Sequence, residues 1–342
     1  MGKPIIVTTL DIDSPAISGL AARVTDSSNG TLEILAHASH ASRGVAGGAI
    51  VDLSESVDSV TKVLTSLSEK VPNLPNSIYV NISGENLKGE TSRGMIPLAM
   101  RGREITKHDI ERCANAASTI QLPFEKEIVH KIVQSFSIDD QPRIKNPLGL
   151  YGSRLACEVY IITANINIMQ NLYKTVYNAG YDVKEVVFSG VADASALLEA
   201  SDIRDGVLLV DIGESYIQFS YFVGGALNDF EITPFGGLSA LAQKCEEYLK
   251  KHMIKSIVLS GPGAYKEGVI EFLQGDKLPL PIRMGVVREI RGRVSSMDTM
   301  KLTTAIGLAK YAQNKCNKQS REDSNIIKRL SSKVVDIFNN YF

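Results

Sequence analysis

The chain has 342 residues, 44% of them hydrophobic and 22% charged, with 37 Lys and Arg against 38 Asp and Glu. That is apolar material for about two globular domains with real cores, and a net charge of −1 excludes a global basic field for nucleic acid, so any polyanion or lipid contact must be local. Cys113, Cys157, Cys245 and Cys316 are scattered with no Cys-x-x-Cys, which argues against a disulfide framework or zinc site and fits a reducing cytoplasm; no apolar run approaches the ~18 residues of a membrane span, so neither secretion nor a transmembrane helix is expected.

In chain order, Ile5-Ile6-Val7 leads through Leu10 into Asp11-Ile12-Asp13-Ser14, and Ile17 and Leu20 follow, the pattern of a tight hairpin with acids at its turn. Leu32 to Ala36 predicts a third strand, then Ser42-Arg43-Gly44 and Gly47-Gly48 form a loop feeding a helix. Over 54–70, Val57, Val60, Val63, Leu64 and Leu67 recur at helical spacing until Pro72 and Pro75 end the run. Residues 78–83 read as a core strand. From Gly84 to about Arg154 the texture changes to polar turns, a strand near 94–98 and a helix led by Thr106 up to Ile120, as in an inserted subdomain. A strand over 155–163, a helix over 167–178 closed by Gly180, a strand at 186–188 and a helix over 192–198 follow.

A second hairpin then repeats the first: Val207 to Val210 ends on Asp211-Ile212-Gly213, and Ile217 to Val223 returns. Residues 226–234 continue that sheet, and one helix over 238–253 precedes a strand from Ile257 and the turn Gly261-Pro262-Gly263-Ala264. Thr304 to Ala309 is small-residue helix. Residues 314–323 lack Leu, Ile, Val and aromatics, which predicts a polar linker. Beyond it Ile326, Ile327, Leu330, Val334, Ile337, Phe338, Tyr341 and Phe342 make one wide apolar helical face, with Lys328, Arg329 and Lys333 beside it.

An ordinary turn explains either Asp-Ile copy alone, but the pair resembles the phosphate loops of the actin, Hsp70 and sugar-kinase superfamily. Ser42-Arg43-Gly44, Gly47-Gly48, Asp52-Leu53, Lys145-Asn146-Pro147-x-Gly149-Leu150-x-Gly152-x-Arg154 and Gly180 to Val191 are more specific, and in order and spacing they are similar to bacterial FtsA over most of residues 1–237. The resemblance implies an α/β, actin-like two-lobed fold with two related sheet-and-helix halves and a small inserted α+β subdomain of the SHS2 kind (1C). Its parts would be a first lobe (1A) at 1–84, the insert at 85–154, the first lobe continued at 155–202 and a second lobe (2A) at 203–313 from which the 2B subdomain is missing. A linker at 314–323 and an amphipathic membrane-targeting helix at 324–342 would follow.

The resemblance also implies a site for ATP and Mg²⁺. Asp11 and Asp211 would hold the metal through its bound water, and Asp13, Ser14, Gly213, Glu214, Ser215, Gly261, Gly263 and Ala264 would lie along the nucleotide. Asp13-Ser14 stands where the family has glycine and a hydroxyl residue, and Glu214-Ser215-Tyr216 replaces Gly-Gly-Thr. Two added carboxylates at ~4 Å from phosphate would each cost about 4 kcal/mol at an effective dielectric near 20, so at most weak ATP binding or hydrolysis is expected. No catalytic residue is expected, and His37, His40, His108, His130 and His252 read as surface or loop side chains. The implied function is that of a cell division adaptor on the cytoplasmic face of the bacterial inner membrane at the septum. It would help anchor and assemble the FtsZ ring, with FtsZ, other divisome proteins, further copies of itself and anionic lipid as partners, and no nucleic acid. A PilM-like scaffold for envelope machinery and a residual ATPase or kinase are the alternatives.

Overall fold

The computed structural model describes residues 5–24, 31–99, 102–274, 278–292 and 294–324, with side chains in the last helix described to residue 317. β1 (Ile5–Ile12) and β2 (Ala16–Val24) pair as an antiparallel hairpin closing at Ile12↔Ile17, and β3 (Leu32–Ala41) pairs with β2. After the ribbon of β4 (Val45–Ala46) and β5 (Ala49–Ile50), Asp52 caps α1 (Leu53–Lys70) by accepting from the Glu55 amide, and Val60, Val63, Leu64 and Leu67 go inward. β6 (Ser77–Ile82) then joins β1 in parallel.

The insert comprises β7 (Lys88–Pro97), β8 (Arg103–Glu104), α2 (Lys107–Ser118), β9 (Lys126–Ile138), β10 (Gln141–Ile144), β11 (Tyr151–Gly152) and β12 (Arg154–Asn165). Its four-stranded sheet has the order β10-β9-β12-β7, with α2 packed on β7 and β12. Thr106 and Asp109 close the capping box of α2, and the Arg103 guanidinium gripping Asp109 holds that buried carboxyl well below the usual carboxylate range. The sequence ends the insert at Arg154, but β12 pairs with both β7 and β9 along its length and is therefore a central strand of the insert. β9 was not read from the sequence, although His130, Ile132, Phe136 and Ile138 alternate inward along it.

The chain re-enters the first lobe with α3 (Ile166–Asn178), β13 (Asp182–Phe188) parallel to β6, and α4 (Ser189–Leu197). The second lobe holds α5 (Ala200–Asp205), β14 (Val207–Ile212), β15 (Tyr216–Val223), β16 (Ala226–Pro234), α6 (Gly237–Lys251), β17 (Ser256–Ser260), a 3₁₀ turn at Pro262–Tyr265, α7 (Val269–Gln274) and β18 (Ile282–Met284). Its strand order, β18-β17-β14-β15-β16, repeats β13-β6-β1-β2-β3 of the first lobe, each with a hairpin flanked by a parallel strand.

The last segment departs from the expected boundaries. The sequence assigns 203–313 to the second lobe, whereas β19 (Ile290–Gly292) adds in parallel to β3. After α8 (Ser296–Lys301), α9 (Thr303–Ser324) packs over β1, β2 and β6 and against α4. Leu302, Ala305, Ile306, Leu308, Ala309 and Ala312 thereby join the first-lobe core. Residues 314–323, expected as a linker, continue α9; Lys315 in this stretch reaches Glu185 of β13 at 2.8 Å. Low apolar content marks a solvated helix face as readily as a linker, and composition alone does not separate the two. The apolar and basic residues expected to touch membrane, Ile326 to Phe342, lie outside the described residues.

Candidate nucleotide cleft

The two hairpin turns face each other from opposite lobes. Tyr216, which opens β15, reaches across: its hydroxyl donates to Asp13 Oδ2 at 2.5 Å and lies 3.0 Å from the Ser83 hydroxyl. Asp13 Oδ1 accepts the amide of Ser14 at 2.7 Å, and the Gly213 amide donates to the Tyr216 carbonyl at 3.0 Å. Turn amides of the kind that would bind phosphate are thus already occupied from within the chain.

Behind these turns stand Asp11 on β1, Asp211 on β14 and Asp193 on α4. Burial, with added repulsion from Asp13 and Asp211, pushes the Asp11 carboxyl well up. Burial, then Asp13, takes Asp211 to about 7, while burial and then Asp211 push Asp193 well up against the Thr304 hydroxyl, which donates to its Oδ1 at 2.8 Å. Asp193 is 1% exposed and its Oδ2 has no hydrogen-bond partner among the described residues. Sequence reading missed this residue; the signal was a lone acid among the small residues Val191-Ala192-Asp193-Ala194.

Glu214 and Ser215, expected along the phosphates, are exposed at the hairpin tip, so the acids inside the cleft beyond Asp11 and Asp211 are Asp13 and Asp193 and not Glu214. The glycines of the turn after β17, expected beside a base, have a packing reason of their own. A β-carbon at Gly261, whose φ is +80°, would stand 2.3 Å from Asp211 Oδ1, and one at Gly263 would stand 2.4 Å from Ile212 Cγ2. Both glycines let that turn seat on the end of β14, and Ala264 is buried in the second-lobe core. The carboxylate oxygens suit magnesium chemistry. Among the described residues, however, no group of three or more His, Cys, Asp or Glu side chains is placed to hold a metal. Tyr216 and Asp13 join across the turns between which the resemblance would place the phosphates and their metal, so a nucleoside triphosphate would have to part them.

Of the histidines, His40 and His108 are exposed and His37 is half-buried. His130 corrects the surface reading: it is buried, its Nε2 accepts the Phe188 amide at 2.9 Å, and burial lowers its pKa to about 3, so it is neutral. His252 stacks on Tyr221 and contacts Asp229 at 2.9 Å.

The duplicated sheets, the paired turns and the insert define the class: this is a protein of the actin-like ATPase fold carrying an inserted SHS2 domain. The family model of an SHS2 domain inserted in FtsA matches residues 84–163. Cell division protein FtsA of Pseudomonas aeruginosa is 30% identical over 236 residues, covering 69% of this chain and 55% of that protein. FtsA of Borreliella burgdorferi is 33% identical over 232 residues, covering 68% and 55%. The PilM-PilN type IV pilus biogenesis complex contains a chain that superposes with a TM-score of 0.67 at 14% identity, over 89% of this chain and 98% of that one. This chain is a divergent relative of the FtsA proteins, and the match spans about half the length of those curated relatives.

Proposed function

We propose that the chain is an FtsA-like adaptor of bacterial cell division that holds FtsZ and other division proteins at the cytoplasmic face of the inner membrane. The observation that carries this reading is the sequence relation to FtsA over about two thirds of the chain together with the FtsA-type insert. The work is binding, not catalysis: the reading of weak Mg-ATP binding at most is supported by Asp13 and Tyr216, which meet between the turns where the resemblance would put phosphates. In the FtsA family the FtsZ tail docks mainly on 2B, and here α6 alone lies between β16 and β17. FtsZ contact is therefore weaker than in the family or moved elsewhere on the second lobe.

Membrane attachment rests on the sequence of 324–342, since among the described residues no helix is long and apolar enough to cross a bilayer. The likeness to the pilus protein is one of fold at 14% identity and supports no pilus role. A tagged copy in dividing cells is the test: a band coincident with FtsZ at midcell supports the reading, and uniform or polar signal overturns it. The anchor is tested separately. The full chain should float with anionic vesicles, while Phe338→Glu and a chain ending at Ser324, which keeps α9, should not; equal flotation of all three removes the anchor.

A further inference from the structure

Tyr216 does more than fill the cleft: it ties elements of different lobes. It belongs to β15 of the second lobe, whereas Asp13 lies in the first turn of the first lobe and Ser83 directly follows β6 of the same lobe. A phenol has one proton, and the carboxylate is the strongest acceptor within reach, so Tyr216 donates to Asp13 and Ser83 donates to the Tyr216 oxygen. Each arm is held by its own lobe. Asp13 is fixed by the Ser14 amide, Tyr216 by the Gly213 amide, and Ser83 by the loop in which Gly48 lies so close that a β-carbon there would stand 2.5 Å from the Ser83 carbonyl oxygen.

The Tyr216 side chain is buried, and burial raises its pKa, so it remains a donor. Pulling the lobes apart would leave a carboxylate and two hydroxyls short of partners in a low-dielectric site, which is costlier than losing the same contacts at the surface. We propose that the Asp13–Tyr216–Ser83 chain of hydrogen bonds is a latch that keeps the two lobes closed on each other without any ligand. The cleft is thereby held in one arrangement by the protein's own side chains, which goes beyond the adaptor role and stands or falls independently of it.

Hydrogen exchange on the full chain reads the latch directly. Tyr216→Phe keeps the ring and deletes the donor, and amides of 11–16, 81–84 and 213–218 should exchange about ten- to hundredfold faster. Asp13→Ala, which removes the acceptor, should do the same, and the double variant should add little to either single one, because both remove one interaction. Tyr221→Phe is the control: its hydroxyl donates to the Met253 carbonyl at 3.1 Å within the second lobe, so its loss should leave those three segments unchanged. Should Tyr216→Phe fail to fold, Ser83→Ala with Asp13→Ala carries the same readout. Unchanged exchange in Tyr216→Phe and Asp13→Ala, or effects that simply add, would overturn the latch. Either result leaves midcell recruitment, and with it the adaptor reading, untouched.

Discussion

The two lobes carry one strand order but treat it differently. In the first, β2 is buried almost from end to end because helices cover both faces of its sheet, α1 and α3 on one side and α4 and α9 on the other. β15 of the second sheet is buried as fully, but only one of its faces has a core of its own, built from α6, α7 and the short turn after β17; the other meets α4, α5 and the core of the first lobe, which Val207, Leu209 and Phe222 join. The hairpins themselves match strand for strand, yet the first turn presents Asp13 and it is met across the cleft by Tyr216, the buried first residue of β15. Burial on a pleated sheet restricts what a strand position accepts, and a tyrosine is tolerated here because its hydroxyl finds Asp13 and Ser83.

The largest difference between the lobes should appear where α9 crosses α4, a contact the second lobe lacks. A β-carbon at Gly307 would lie 2.0 Å from the Ala192 carbonyl oxygen, in backbone that has no room to shift. Gly307→Val is expected to cost about 3 kcal/mol or more in a urea titration. A loss below about 1 kcal/mol would mean that α9 is not integral to the first lobe.

Second in size is the pH dependence of the shared cleft. Asp11, Asp193 and Asp211 have folded pKa values raised above the ordinary 3.8, so the folded state binds protons that the unfolded state has released. Their contribution to stability falls as pH rises from about 4 through the Asp211 value of about 7. Buried neutral His130 acts in the opposite sense, adding stability as pH rises from about 3 toward the ordinary imidazole value of 6.5, so the cluster is read from the difference between the native chain and Asp211→Asn. Asp211→Asn should gain on the native chain by about 2 kcal/mol between pH 5 and pH 8, less than the full linkage value because Asp211 keeps some solvent access. A difference that does not grow with pH over this window would refute the account of the cluster.

The smallest effect separates the two turns by nucleotide titration. Asp13→Gly removes the carboxylate that occupies the Ser14 amide and should tighten Mg-ATP binding by at least about tenfold. Glu214→Gln, at an exposed tip, should change it by less than about twofold. Equal responses would show that the two turns do not differ in the way their burial indicates.

The sequence by itself determined the duplicated hairpins, the amphipathic face of α1, the capped helix of the insert and the FtsA resemblance, because each is written in local periodicity, in capping residues or in motif order. Even β9 was legible in principle, through alternation along 126–138. Tertiary structure alone decided that β12 belongs to the insert, that β19 and α9 return to the first lobe, and that Asp193 joins Asp11 and Asp211 behind turns bridged by Tyr216 and Asp13. Those pairings link residues separated by much of the chain, such as Thr304 with Asp193 and Tyr216 with Asp13. Local propensity carries no information about which distant segments meet: that is fixed by how the apolar faces of the sheets are covered, and charge and hydrogen bonding in the cleft follow from that covering.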